Sequence, residues 1–311
     1  MGSRHFFKRH QGRASYDLFA SYSYFLPGLK GMIMLLVMFV LGGLLGNIVV
    51  LGLTFGISAE FAQAYGTVIS YPLMFVPPMI YASYQSRKTE IWGELEGIPE
   101  GGIPLDSNNF GQLGGFKIAL IVSVATLAAA FVAEPVNMLL PEMPEFLEKA
   151  LEQLTEGPLW VTLLSVSIFA PLFEEWLCRG LVLRGLLQKL NPFSAIAVSA
   201  AFFAVLHMNP WQAIPAFLLG LFFGYVYYKT GSLKLTMLMH CVNNTFSVIF
   251  TRIPAFEEAE TFMDILSPWA YVCIFIASVL MIASAVIILR GIPVKDEKMG
   301  NCDKVDALSI D

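Results

Sequence analysis

Eight long apolar segments limit what this chain can fold into. They comprise residues 31–55, 68–84, 118–140, 159–178, 193–206, 213–228, 235–250 and 269–289. A helix needs about 20 mostly apolar residues to cross a bilayer, where its backbone groups must bond within the helix. We therefore predict an all-α, polytopic membrane protein with about eight transmembrane helices. The fifth to seventh segments are short, which fits helices that pack inside the protein or line a cavity.

Composition agrees with a membrane protein and excludes a soluble one. The chain is 56% hydrophobic and 14% charged, with a mean hydropathy of +0.66. A soluble domain has a larger fraction of charged residues and a smaller fraction of apolar residues. The charge distribution shows no nucleic-acid-binding surface. The four cysteines have no paired spacing, so they indicate neither a disulfide framework nor a metal knuckle.

The positions of Lys and Arg predict how the helices are oriented. If both termini are cytoplasmic, every Lys and Arg except Lys149 and Arg252 falls on the cytoplasmic side or at a helix end facing it. This is the arrangement that the positive-inside rule favours. We expect a basic cytoplasmic N-terminus at 1–29, a single membrane domain at 30–291 and a polar cytoplasmic tail at 292–311.

Three further patterns predict local structure. Gly42 and Gly46, like Gly220 and Gly224, have the GxxxG spacing that permits close helix packing. Residues 143–156 alternate apolar and acidic positions and predict an amphipathic helix on the outer surface. Residues 87–116 are rich in Gly, Pro and Glu and predict a cytoplasmic loop.

Charged residues interrupt the fourth apolar segment. Glu174, Glu175 and Arg179 follow a run without charge, and each charge at the centre of a membrane helix costs about 2.5 to 3.5 kcal/mol. Glu175 and Arg179 are four residues apart and can pair on one helix face. Glu174 points about 100° away and lacks that partner. The alternative is that all three charges lie in headgroup water.

Histidine and asparagine occur in the fifth and seventh segments. Phe203 and His207 are four residues apart, as are His240 and Asn244, so each pair shares a helix face. A turn at 191–192 makes helices four and five antiparallel and brings Glu174 level with His207, as a shared water would require. The depth of His240 stays open. A lone intramembrane histidine is more often a structural hydrogen bonder, but these residues together indicate a site.

These groups fit the hydrolysis of an acyl bond. An unpaired carboxylate beside an imidazole can take a proton from water. A second imidazole with an amide can donate hydrogen bonds to a developing oxyanion. We interpret Cys178 and Cys241 as inert thiols, because neither has a convincing base partner.

The motifs Glu174-Glu175-x-x-x-Arg179, Phe203-x-x-x-His207 and His240-x-x-x-Asn244 resemble those of the CAAX prenyl protease and bacteriocin-processing (ABI) family. The resemblance covers about 158–250 and implies an intramembrane glutamic endopeptidase without a cofactor. It implies that Glu174 activates water with help from His207, and that His240 and Asn244 form the oxyanion hole. Glu175 and Arg179 would support the site.

Two alternatives remain open. Glu174, His207 and His240 could bind zinc as two histidines and a carboxylate, although no HExxH pair is present. The chain could also be a non-enzymatic membrane transport or immunity protein. The expected partners are membrane lipid and a peptide or lipidated peptide, and the expected location is a prokaryotic inner membrane.

Overall fold

The computed structural model describes residues 19–92, 101–153, 157–250, 252–253 and 261–294. Within these ranges the chain forms helices and no strand, which confirms the predicted all-α class. The basic residues before position 19 and the tail after position 294 lie outside the described residues. The assigned roles of both termini therefore stay predictions.

Ten helices, numbered in chain order, form the described part of the fold. They are α1 (Leu29–Gly56), α2 (Ala59–Trp92), α3 (Gly114–Asn137), α4 (Glu145–Gln153), α5 (Leu159–Leu187), α6 (Pro192–Leu206), α7 (Pro210–Thr230), α8 (Leu233–Phe250), α9 (Phe262–Ile265) and α10 (Pro268–Arg290).

Seven of the eight apolar segments lie within α1, α2, α5, α6, α7, α8 and α10, and the remaining one, 118–140, extends three residues beyond the end of α3. Four stretches in the described residues are long and apolar enough to cross a membrane: Leu29–Gly56, Gly111–Val136, Leu159–Leu187 and Pro268–Arg290. α6 is apolar but shorter. Eight spans with both termini in the cytoplasm therefore stay a prediction.

Apolar side chains cover the outside of α1 and α10. Only 22% of the apolar stretch of α1 and 17% of that of α10 is buried inside the protein. Apolar surface this extensive is rare on soluble monomers and is expected where a helix contacts lipid. The chain is a membrane protein, with α1 and α10 on its periphery.

Close contact between α1 and α2 depends on the first glycine pair. A Cβ atom added to Gly42 would lie 2.1 Å from the backbone oxygen of Met74, and one added to Gly46 would lie 3.1 Å from that of Ser70. The predicted close packing is confirmed, since a residue larger than glycine fits at position 42 only if the backbone of α1 or that of α2 at Met74 moves.

We expect Gly42→Ala to destabilise the protein by about 3 kcal/mol, the upper end of the usual cost of overpacking. The cause is the clash with the Met74 backbone. Gly52→Ala is the matched control on the same helix, because nothing lies within 4 Å of its added Cβ. Thermal unfolding in detergent measures both variants, and equal melting temperatures would contradict the packing argument.

The second glycine pair joins α6 to α7. Cβ atoms added to Gly220 and Gly224 would lie 3.1 Å from Ala200 and 3.0 Å from Ile196. These distances are shorter than ordinary van der Waals contacts, so the predicted close packing of this second pair is also confirmed. It places α6 and α7 side by side against α5.

α5 is mostly buried and is not a regular α-helix along its length. Leu163–Phe169 and Trp176–Leu183 are π-helical, and the α-helical turn Ala170–Glu175 lies between them. Wide turns change which backbone carbonyls bond within the helix. Here the carbonyls of Val166, Cys178 and Gly180 accept hydrogen bonds from side chains.

Arg184 attaches the N-terminal segment and a loop to α5. Its side chain is buried and donates to the backbone oxygens of Gly180, Tyr22, Ser23, Phe25 and Ile103. The sequence predicts Arg184 only as a flanking cytoplasmic charge, because helical spacing does not show carbonyls that are distant in the chain. Residues 19–28, assigned to the N-terminal segment, thus pack against the membrane domain.

In the predicted loop 87–116, residues 101–110 form no regular element, whereas α2 continues to Trp92 and α3 begins at Gly114. Residues 93–100 lie outside the described residues. Between them, Asp106 accepts from the backbone nitrogens of Leu233 and Lys234 at the start of α8. The amphipathic helix predicted at 143–156 occurs as α4, and positions 154–156 lie outside the described residues.

Candidate active site

A buried ion pair lies at the centre of α5. Arg179 Nη1 donates to Glu175 Oε1 over 2.7 Å, and both side chains are fully buried. The two residues are four apart, as the sequence predicted. Because two charges leave water here, the pair needs additional partners to be stable.

The additional partners of Arg179 lie on α6 and α7. Its Nη2 donates to the backbone oxygen of Gly220 over 3.1 Å. Its guanidinium carbon lies 4.7 Å from the ring centre of Phe203 and 5.5 Å from that of Phe223, which are cation–π distances. The close approach of α7 at Gly220 thus supplies one acceptor for Arg179.

His240 of α8 joins the same network. Its Nδ1 lies 3.1 Å from Glu175 Oε1. An ionised carboxylate can only accept, so Nδ1 carries the hydrogen of this bond. The other ring nitrogen, Nε2, lies 3.9 Å from Glu174 Oε2. The open question of the depth of His240 is answered, because its ring lies between the two glutamates.

Glu174 has one bonded and one unbonded carboxylate oxygen. Its Oε1 accepts a hydrogen bond from the hydroxyl of Tyr71 on α2. Its Oε2 is buried and has no hydrogen-bond partner among the described residues. Arg179 pairs with Glu175 rather than with Glu174. The Tyr71 hydroxyl was not predicted, because helical spacing in α5 does not show what α2 brings to Glu174.

His207 follows directly after α6 and contacts residues of that helix. Its Nδ1 lies 3.1 Å from the backbone oxygen of Phe203, an acceptor, so Nδ1 carries the hydrogen and a neutral ring has its lone pair at Nε2. The Phe203 ring packs edge-on against both His207 and His240, at centroid distances of 5.1 and 5.6 Å. No direct hydrogen bond joins His207 to Glu174 in the described structure, so a water shared between them stays a prediction.

Asn244 lies one turn beyond His240 on α8. Its Nδ2 donates to the backbone oxygen of Val166 over 2.8 Å, within the first π-helical segment of α5. Its Oδ1 accepts from Asn243 over 3.1 Å. One amide hydrogen of Asn244 is thereby used, and the second is available to another acceptor.

The predicted zinc ligands do not form a metal cluster. In the described ranges no group of three His, Cys, Asp or Glu residues is arranged to hold a metal ion. Glu174 and His240 lie near each other. His207 Nδ1 contacts the Phe203 carbonyl, which leaves Nε2 as the nitrogen that could bind a metal. Binding of zinc by Glu174, His207 and His240 together therefore stays a prediction.

Comparison with known proteins agrees with the motifs. Residues 156–246 match the family described as "Type II CAAX prenyl endopeptidase Rce1-like". We call residues 156–246, which are similar to this family, the Rce1-like domain. It is also 27% identical over 103 residues to the protein named "Putative membrane peptidase YdiL" of Bacillus subtilis (strain 168). That alignment covers 32% of this chain and 42% of the relative. No solved structure matches the chain.

The Rce1-like domain runs from the loop before α5 into α8 and holds every site residue named from the sequence. Tyr71 lies outside it. Phe223 and the carbonyls of Gly220 and Val166 also contact the site without having been predicted from the sequence. A hydroxyl within an apolar segment was the available signal for Tyr71, but nothing in the sequence indicated that α2 approaches Glu174.

Proposed function

We propose that the protein is an intramembrane endopeptidase that hydrolyses a peptide bond in a membrane-associated peptide. Support comes from the Rce1-like match and from the relative whose printed name includes membrane peptidase. A prenylated or bacteriocin-like peptide fits the motif resemblance. We further propose a prokaryotic inner membrane as its location and membrane lipid as its surroundings.

The observation that carries this proposal is the unbonded Oε2 of Glu174, buried beside His240. A carboxylate oxygen in this position can accept a proton from water while the water oxygen attacks the peptide carbonyl carbon. The proton then passes from Glu174 to the amine as the carbon–nitrogen bond breaks. His207 assists by orienting the water through its unprotonated Nε2.

The oxyanion formed by this attack needs hydrogen-bond donors. His240 already donates from Nδ1 to Glu175, so a protonated ring can also donate from Nε2 to the oxyanion. The second amide hydrogen of Asn244 supplies another donor from the same helix. Glu175 and Arg179 act by holding His240 in place rather than by touching the substrate.

Two other functions remain as competing proposals. A zinc-dependent protease would use Glu174, His207 and His240, and the chelator experiment below distinguishes it from cofactor-free hydrolysis. A non-enzymatic transport or immunity protein would need the buried glutamates but no oxyanion donors. We propose hydrolysis without a cofactor because the base Glu174 and the donor His240 lie close enough to act on one water and one peptide carbonyl.

Cleavage of a fluorogenic peptide tests the proposal. We expect the purified protein in detergent to cleave the peptide at the same rate with and without a zinc chelator. The peptide should be supplied with and without a prenyl group, so that any preference defines the substrate class. Loss of activity on chelation that added zinc restores would contradict the cofactor-free mechanism.

A further inference from the structure

Tyr71 contacts the proposed base from outside the Rce1-like domain. It lies within α2, and its hydroxyl donates to Glu174 Oε1. The opposite oxygen, Oε2, is the one that lies 3.9 Å from His240 Nε2. The two oxygens of Glu174 therefore have different environments, one bonded to Tyr71 and one directed toward the site.

Aromatic packing holds the Tyr71 ring against α5. Tyr71 packs on Phe75, with ring centres 5.8 Å apart, and Phe75 stacks on Phe173 at 5.1 Å with an interplanar angle of 16°. Phe75 is fully buried. Because Phe173 precedes Glu174 in the chain, the same contacts that fix Tyr71 also fix the backbone that carries the carboxylate.

We infer that Tyr71 is a positioning residue for the reaction. Its hydrogen bond holds Oε1, so that rotation of the carboxylate is restricted and Oε2 stays directed toward the water and His240. Groups that orient a reacting residue in this way commonly affect activity by about 10- to 100-fold, since small misplacements of a base are costly. This inference rests on the proposed function, in which Glu174 is the general base.

The test compares Tyr71→Phe with the wild-type protein in the peptide cleavage assay. The phenylalanine keeps the ring packing on Phe75 and loses only the hydroxyl. We expect kcat to fall about 10- to 100-fold while KM and the melting temperature stay near their wild-type values. A role confined to folding would instead lower the melting temperature and leave the kcat of the folded fraction unchanged.

Tyr65→Phe is the matched control on the same helix. The Tyr65 ring packs against Phe61 and Trp160, and its hydroxyl has no hydrogen-bond partner among the described residues. We expect this variant to keep the wild-type kcat. An equal loss in both variants would overturn the assignment of Tyr71.

A double-mutant cycle tests whether Tyr71 acts through Glu174. Glu174→Asp keeps a carboxylate but withdraws it from the Tyr71 hydroxyl. In the Glu174→Asp background we expect Tyr71→Phe to lower kcat little further, since the effects of substitutions at interacting residues are not additive. Full additivity, or wild-type kcat in Tyr71→Phe alone, would overturn the inference. Wild-type cleavage by Glu174→Gln would instead overturn the proposed function itself.

Discussion

Glu174→Gln is expected to lower the rate of peptide cleavage by about 100- to 10,000-fold, the contribution of a general base. Glutamine has the shape of glutamate, and its amide oxygen can still accept from the Tyr71 hydroxyl. It cannot take a proton from water. Folding should therefore be preserved while the chemical step is lost, and the assay should report the loss in kcat.

Glu148→Gln provides the control for this result. Glu148 lies on α4, is exposed, and is far from the network of α5 and α8 in the chain. We expect it to cleave at the wild-type rate. Thermal unfolding of Glu174→Gln should match that of the wild type, and normal proteolysis by that variant would rule out the mechanism.

Arg179→Ala is expected to destabilise the protein by about 3 to 5 kcal/mol, the usual cost of removing one partner of a buried ion pair. The replacement leaves the Glu175 carboxylate in the interior without its 2.7 Å partner. It also removes the cation between the rings of Phe203 and Phe223. Thermal unfolding in detergent should show a large drop in melting temperature, together with loss of activity.

The chain contains a matched pair for comparison. Lys149 and Glu145 are also four residues apart on a helix, but their side chains are 65% and 79% exposed. Exposed pairs of this kind contribute about 0 to 1 kcal/mol. Lys149→Ala should therefore leave the melting temperature nearly unchanged. If both alanine variants melted alike, the buried pair would not have the structural role assigned to it.

A second comparison distinguishes the removal of both charges of the ion pair from the removal of Arg179 alone. Replacing Glu175→Gln and Arg179→Met together removes both charges and leaves no unpaired ion in the interior. We expect this double variant to be more stable than Arg179→Ala, because neutral groups cost less to bury. It should also lose most of its activity, since a glutamine amide can turn either its oxygen or its NH2 group toward His240 Nδ1 and no longer fixes the ring in one orientation.

Local sequence patterns were sufficient to predict several parts of the structure. Apolar segments of helical length predicted the helices, because a membrane helix satisfies its own backbone. The spacing of Glu175 and Arg179 predicted their pair, and the GxxxG spacings predicted close helix packing. Each of these depends on residues within one helix or on the size of a single residue.

Composition and helical spacing were enough to predict the all-α class, the apolar segments and the motif residues. The packed helices were needed to show that Tyr71 bonds Glu174, that His240 lies between two glutamates and that Asn244 bonds the Val166 carbonyl. These contacts join residues that are far apart in the chain. Their geometry depends on how helices pack and on the π-helical turns of α5, which periodicity in the sequence does not reveal.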